Sequence, residues 1–180
     1  MYNYDMYALA SQLTKLAVLS LQTGECIARI KEPILHLPTL ELIGFLCNSE
    51  ATGETVMMTS DIRQYAHDCV LIDHEDELSN PADIVRYHPD GTLPTNPLRL
   101  LVVADTGRKI GIVTDYNLNL DTSLVQKIYV TKPSLKFWQS QQFIIDRTQI
   151  IDISATQITV RDATIMNDAL GKAPARQPSP

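Results

Sequence analysis

The sequence predicts an all-β fold made of two tandem copies of one small barrel, joined by a short helix and a linker. Three observations carry this. Two long blocks of the chain match each other in register. Apolar residues recur in short runs bounded by Gly, Asn, Asp and Ser. Helical periodicity is confined to a few residues.

The internal repeat comes first because it fixes the architecture. Laying 21–46 on 104–129 without gaps sets Thr23-Gly24 on Thr106-Gly107, Ile27 on Ile110, Ala28 on Gly111, Ile30 on Val113 and Glu32 on Asp115. Leu35, Leu37 and Thr39 fall on Leu118, Leu120 and Thr122, and Leu42 and Phe45 on Val125 and Ile128. After a longer insertion in the second copy, Val56-Met57 meets Ile144-Ile145, Ile62 meets Ile150, and Tyr65 meets Ile153. Val70 and Ile72 then meet Ile158 and Val160. The implied organisation is a first barrel over 8–78, a linker over 79–97, a second barrel over 98–166, and a disordered tail over 167–180.

Each element follows from local chemistry. Residues 9, 13 and 16 are Leu at helical spacing just ahead of the first strand. Strands are expected over 17–21 and 100–104. Each is followed by a turn whose Gly takes positive φ without steric cost. Residues 26–31 and 109–114 alternate as the next strands, then 40–47 and 124–130, then 55–58 and 142–145. Residues 69–72 and 157–160 close each copy. Asn80-Pro81-Ala82-Asp83 is a helix start, with an Asn cap, Pro at the first position and an acid in the first turn. Pro89 stops that helix by His88. Residues 90–97 are rich in turn formers.

The repeated pattern resembles the signature of the PRC-barrel family. It reads Thr23-Gly24-x-x-Ile27-Ala28-x-Ile30-x-Glu32 and again Thr106-Gly107-x-x-Ile110-Gly111-x-Val113-x-Asp115. The steps Ile62-x-x-Tyr65 and Ile150-x-x-Ile153 resemble a later element of the same family. Ala28 stands where Gly is usual, and Pro33 follows Glu32 directly, which predicts a distorted strand end there. The resemblance implies a binding or adaptor module with no catalytic residues. Relatives include a domain of a ribosome-maturation factor and the cytoplasmic part of a photosynthetic reaction-centre subunit. The domain that accompanies the first, and the membrane anchor of the second, have no counterpart in this sequence.

Composition narrows the function classes. The 180 residues carry 15 Lys and Arg against 21 Asp and Glu, a net charge of −6. That argues against holding a polyanion by bulk charge. No apolar run approaches the ~18 residues of a spanning helix, and the first residues lack a signal-peptide pattern, so a cytoplasmic protein without membrane insertion is expected. Cys26, Cys47 and Cys69 are too widely spaced for a paired metal motif and read as small buried residues on strands. No phosphate loop, nucleophile elbow or zincin motif occurs. The cluster His67-Asp68 and Asp73-His74-Glu75-Asp76-Glu77 has the ligand types of a divalent-metal site. Consecutive residues cannot all converge on one ion, so it reads as a solvated acidic loop. No cofactor, metal or catalytic residue is assigned.

The candidate partner-binding residues lie in and beside the insertion of the second copy. They are Lys127, Tyr129, Lys132, Lys136, Phe137 and Trp138, the last being the only Trp of the chain. Aromatics beside Lys can anchor a protein partner or stack on unpaired bases. They can equally plug a barrel end. The expected function is a non-enzymatic adaptor that docks a protein or a ribonucleoprotein, with an accessory role in ribosome assembly or rRNA processing as the alternative. Uncovered barrel edges would also allow a homodimer.

Overall fold

The computed structural model describes residues 7–82, 96–132 and 141–161. The expected helix over 80–88 and linker over 90–97 lie mostly outside these residues, and the tail over 167–180 lies wholly outside. At the start of the expected helix, Asn80 Oδ1 accepts the Ala82 N–H at 2.9 Å.

A lead-in strand β1 (Tyr7–Leu9) and one helical turn α1 (Ala10–Leu13) precede the first copy. That copy holds β2 (Ala17–Ser20), β3 (Cys26–His36), β4 (Glu41–Ser49), β5 (Gly53–Met58), β6 (Ile62–Tyr65) and β7 (Cys69–Ile72). A two-residue strand β8 (Leu78–Ser79) follows. The second copy holds β9 (Leu101–Ala104), β10 (Lys109–Asn119), β11 (Leu124–Lys132), β12 (Gln141–Asp146), β13 (Ile150–Ile153) and β14 (Gln157–Val160). Corresponding strands have the same lengths, with β3 and β10 at 11 residues and β4 and β11 at 9.

The repeat extends to register. Ile30 opposes Cys47 as Val113 opposes Val130, and Glu32 opposes Leu46 as Asp115 opposes Tyr129. Bulges fall at the same places, after Ile30 and Val113, and after Ile34 and Asn117. Phe45 opposes Met57 as Ile128 opposes Ile145. In both copies the last strand runs parallel to the first, with Val18 beside Val70 and Val102 beside Ile158.

Several expectations are corrected. β3 does not end at Pro33 but runs through it to His36. Pro33 sits between the two bulges, where a strand tolerates the missing N–H. The first turns differ by one residue. Gly24 N–H bonds Ser20 O, and Gly107 N–H bonds Ala104 O, each at 2.8 Å. Ser20 therefore corresponds to Ala104, and Leu21 lies in the turn, 54% exposed. Among the cysteines, Cys47 is buried, Cys69 is intermediate, and Cys26 is exposed rather than buried.

The strands do not form two closed barrels. Among the described residues they make one sheet along the path β13-β14-β9-β10-β11-β4-β3-β2-β7-β6, with no bond joining its ends. The first half nevertheless curls. Phe45 on β4 and Tyr65 on β6 are four strands apart, about 19 Å in a flat sheet. Their ring centroids are 6.4 Å apart in an edge-to-face contact. The apolar interior is continuous between the two copies. One buried cluster includes Val18, Phe45, Met57 and Val70 of the first copy with Val102, Ile128, Ile145 and Ile158 of the second.

The halves meet at β4 and β11, where Leu124 opposes Glu41. Leu42 N–H donates to Ser123 O at 2.6 Å, and Val125 N–H donates to Leu40 O at 3.0 Å. The lead-in segments cross over. β1 pairs with β10 of the second copy, Tyr7 opposite Asn119. Ser11 Oγ donates to Asp115 Oδ2 at 2.6 Å. Asn96, which leads into the second copy, donates from Nδ2 to Glu32 Oε2 of the first at 3.3 Å. The acid of the repeated signature thus anchors the other copy's lead-in. The signature glycine has a steric reason in the second copy, where a Cβ on Gly111 would overlap the Thr131 carbonyl. No helix among the described residues is long and apolar enough to cross a membrane.

Candidate functional site

The outer face of β10, β11 and β12 holds two of the six sequence-predicted residues, Lys127 and Tyr129. Alternation along β11 sends Ile128 and Val130 into the core and leaves Lys127 and Tyr129 on the other side. Register then builds three cross-strand rows. Ile112, Thr131 and Gln142 form one, Asp115, Tyr129 and Ile144 the next, and Asn117, Lys127 and Asp146 the third.

This face is mixed in character. Ile112 is 37% exposed, and Tyr129 and Ile144 are half-buried outside the core cluster. The Thr114 hydroxyl donates to the Tyr129 carbonyl at 3.2 Å and lies 3.3 Å from the Thr131 hydroxyl. Asp146 accepts the Thr148 N–H at 3.0 Å and its hydroxyl at 2.8 Å. Those two bonds, with a smaller contribution from the Lys127 charge, hold its carboxyl below the ordinary range.

The structure brings Lys127 and Tyr129 together on this face. Lys132 is exposed at the end of β11, on the opposite side of the alternation. Lys136, Phe137 and Trp138 lie outside the described residues. Sequence reading missed Ile112 and Ile144. Both belong to runs of consecutive apolar residues, so their outward direction shows only once the register is known.

The first copy treats the same face differently. Its counterparts of Asn117 and Ile144 are Ile34 and Val56, 8% and 1% exposed. β8 lies along β5 there, with Ser79 opposite Val56.

The acidic segment after β7 is engaged in local structure. Asp73 is ion-paired with Arg63, which lowers its carboxyl pKa mainly through that bond. Glu77 Oε2 accepts the Asp73 N–H at 2.9 Å, and His74 Nδ1 lies 2.9 Å from Gln22 Oε1. Among the described residues no group of three or more His, Cys, Asp or Glu is placed to hold a metal ion. His67 and Asp68 lie in the bend between β6 and β7.

No known protein family matches the chain, and no curated protein matches it.

Proposed function

We propose that the protein is a non-enzymatic interaction module of two PRC-type repeats, docking a protein or ribonucleoprotein through the outer face of β10, β11 and β12. The observation that carries this reading is the asymmetry between otherwise matched copies. The first copy buries Ile34 and Val56 on this face, whereas the second presents Ile112, Tyr129 and Ile144 beside Lys127. Tyr at the centre of a partly apolar patch is a common anchor in protein interfaces. The PRC-type assignment is part of the proposal. It is supported by a Thr-Gly turn in each copy, and by the bulged strand after it and the terminal acid occurring twice in the same register.

The test is a tagged pull-down from native cells, with wild type beside Tyr129→Asp, each divided into nuclease-treated and untreated halves. A discrete partner that survives nuclease and is lost with Tyr129→Asp, at unchanged melting temperature, supports the adaptor reading. Nuclease-sensitive recovery of rRNA or ribosomal proteins moves the reading to ribosome assembly. Recovery of identical partners by both proteins overturns the assignment of this face.

A further inference from the structure

We propose that the first copy carries a separate binding site, a cationic groove that accepts an extended acidic peptide as an added strand. The groove has a volume of about 550 Å³, within the ~300–1,000 Å³ usual for binding pockets. Its walls are the lead-in at Thr14 and Lys15, the first half of β3, and the end of β4 from Asn48 to Glu50.

Backbone geometry selects an extended occupant. β3 pairs with β4 only from Arg29, which opposes Asn48. From Cys26 to Ala28, β3 has β2 on one side and, among the described residues, no strand on the other. Such an edge offers backbone groups with no strand partner on that side, the Ala28 carbonyl accepting only the Cys26 thiol at 3.4 Å, and it is the template on which peptide strands add.

Charge selects an acidic occupant. Lys15, Arg29 and Lys31 line the groove against the single acid Glu50, in a chain whose net charge is −6. Lys31 bonds Glu54 at 2.6 Å, while Lys15 and Arg29 form no ion pair among the described residues. The fold does not require these cations, because Ile112 and Thr114 occupy the positions of Arg29 and Lys31 in the second copy. A peptide carboxylate lying along Cys26–Ala28 and reaching the Arg29 guanidinium would form a charge-assisted pair at the end of the open edge.

The groove also contains a reporter. Cys26 lines it and is exposed, whereas Cys47 is fully buried.

The probe is a fluorescein-labelled hexapeptide of alternating Glu and Val, followed by anisotropy with the full chain at low salt. Controls are the Lys-Val peptide, a backbone N-methylated Glu-Val peptide and a ten-nucleotide oligouridylate. Saturable binding of the Glu-Val peptide is expected, weakened at least tenfold by Arg29→Glu with an unchanged melting temperature. Bound peptide should also slow thiol modification of Cys26 several-fold. The Tyr129→Asp variant should bind the peptide as wild type does, so this site and the β11 face fail independently. Absence of saturation up to millimolar peptide overturns the proposal. So does equal binding of the Lys-Val or N-methylated peptide. Preference for the oligouridylate overturns it in favour of phosphate recognition.

Discussion

Leu40 and Ser123 stand at equivalent places in the two copies, both with left-handed backbone at φ 53° and 56°, and each accepts an N–H from the opposite copy. Neither is Gly, so each turn holds its conformation against Cβ sterics of about 1–2 kcal/mol. Leu40 offsets this by burial at 2% exposure, whereas Ser123 is only half-buried.

Ser123→Gly therefore should stabilise the protein by about 0.5–1 kcal/mol, the relieved strain less the entropy of an added Gly. Ser123→Val should destabilise it, since β-branching makes positive φ worse. Urea-denaturation midpoints of the two variants, on opposite sides of wild type, provide the check.

The crossed lead-in at Ser11 and Asp115 can be measured by a double-mutant cycle. Ser11→Ala and Asp115→Ala should couple by about 1 kcal/mol, the net worth of one such hydrogen bond. Ser11→Ala paired with Glu32→Ala should be additive, because Glu32 bonds Asn96 instead. Coupling in the second pair and none in the first would contradict the crossed arrangement.

Tyr116 is fully buried, and among the described residues its hydroxyl has no hydrogen-bond partner. Burial, with the nearby charges of Asp115 and Glu32, raises its pKa far above the ordinary tyrosine value. Removing an unsatisfied buried hydroxyl should gain about 1 kcal/mol, so Tyr116→Phe is expected to melt higher than wild type. Tyr116→Ala should lose about 3–5 kcal/mol through the cavity it leaves. A Tyr116→Phe variant that melts lower would mean the hydroxyl has a partner.

Asp146 titrates below its ordinary value of 3.8 because it caps the turn at Arg147–Gln149. A lowered folded-state pKa adds stability that is present above the unfolded pKa and lost as pH falls through the folded one. At pH 7, Asp146→Ala should cost about 1 kcal/mol, as for other lost caps. The gap between variant and wild type should narrow as pH falls below about 4. Thermal melts across pH 2.5–7 would show it, and a gap independent of pH would exclude the ionised cap.

Much of the repeat was legible because burial imposes it. Ile62 on Ile150, Tyr65 on Ile153 and Val70 on Ile158 match in sequence and occupy matched strand positions. The turn offset was hidden because the gapless match set Leu21 on Ala104 and the core position falls to Ser20, 1% exposed. A polar residue gives no core signal, yet the Ser20 hydroxyl is satisfied by Asp73 O at 3.2 Å. β1 and β8 span three and two residues, too few for a period, and long-range pairing decides them. Barrel closure was not readable either, since it depends on which edges meet. On the candidate face, alternation placed Lys127 and Tyr129, while Ile112 and Ile144 needed the register of three strands.

The crossed lead-in also sets an order for synthesis. β1 finds its pairing partners only at Asn117–Asn119, more than a hundred residues downstream. At elongation rates of about 5–20 residues per second, that delay is on the order of 5–20 s. During it, the first copy can assemble its own strands but must hold its opening segment unpaired. The β1 segment is therefore open to chaperones and proteases until the second copy emerges.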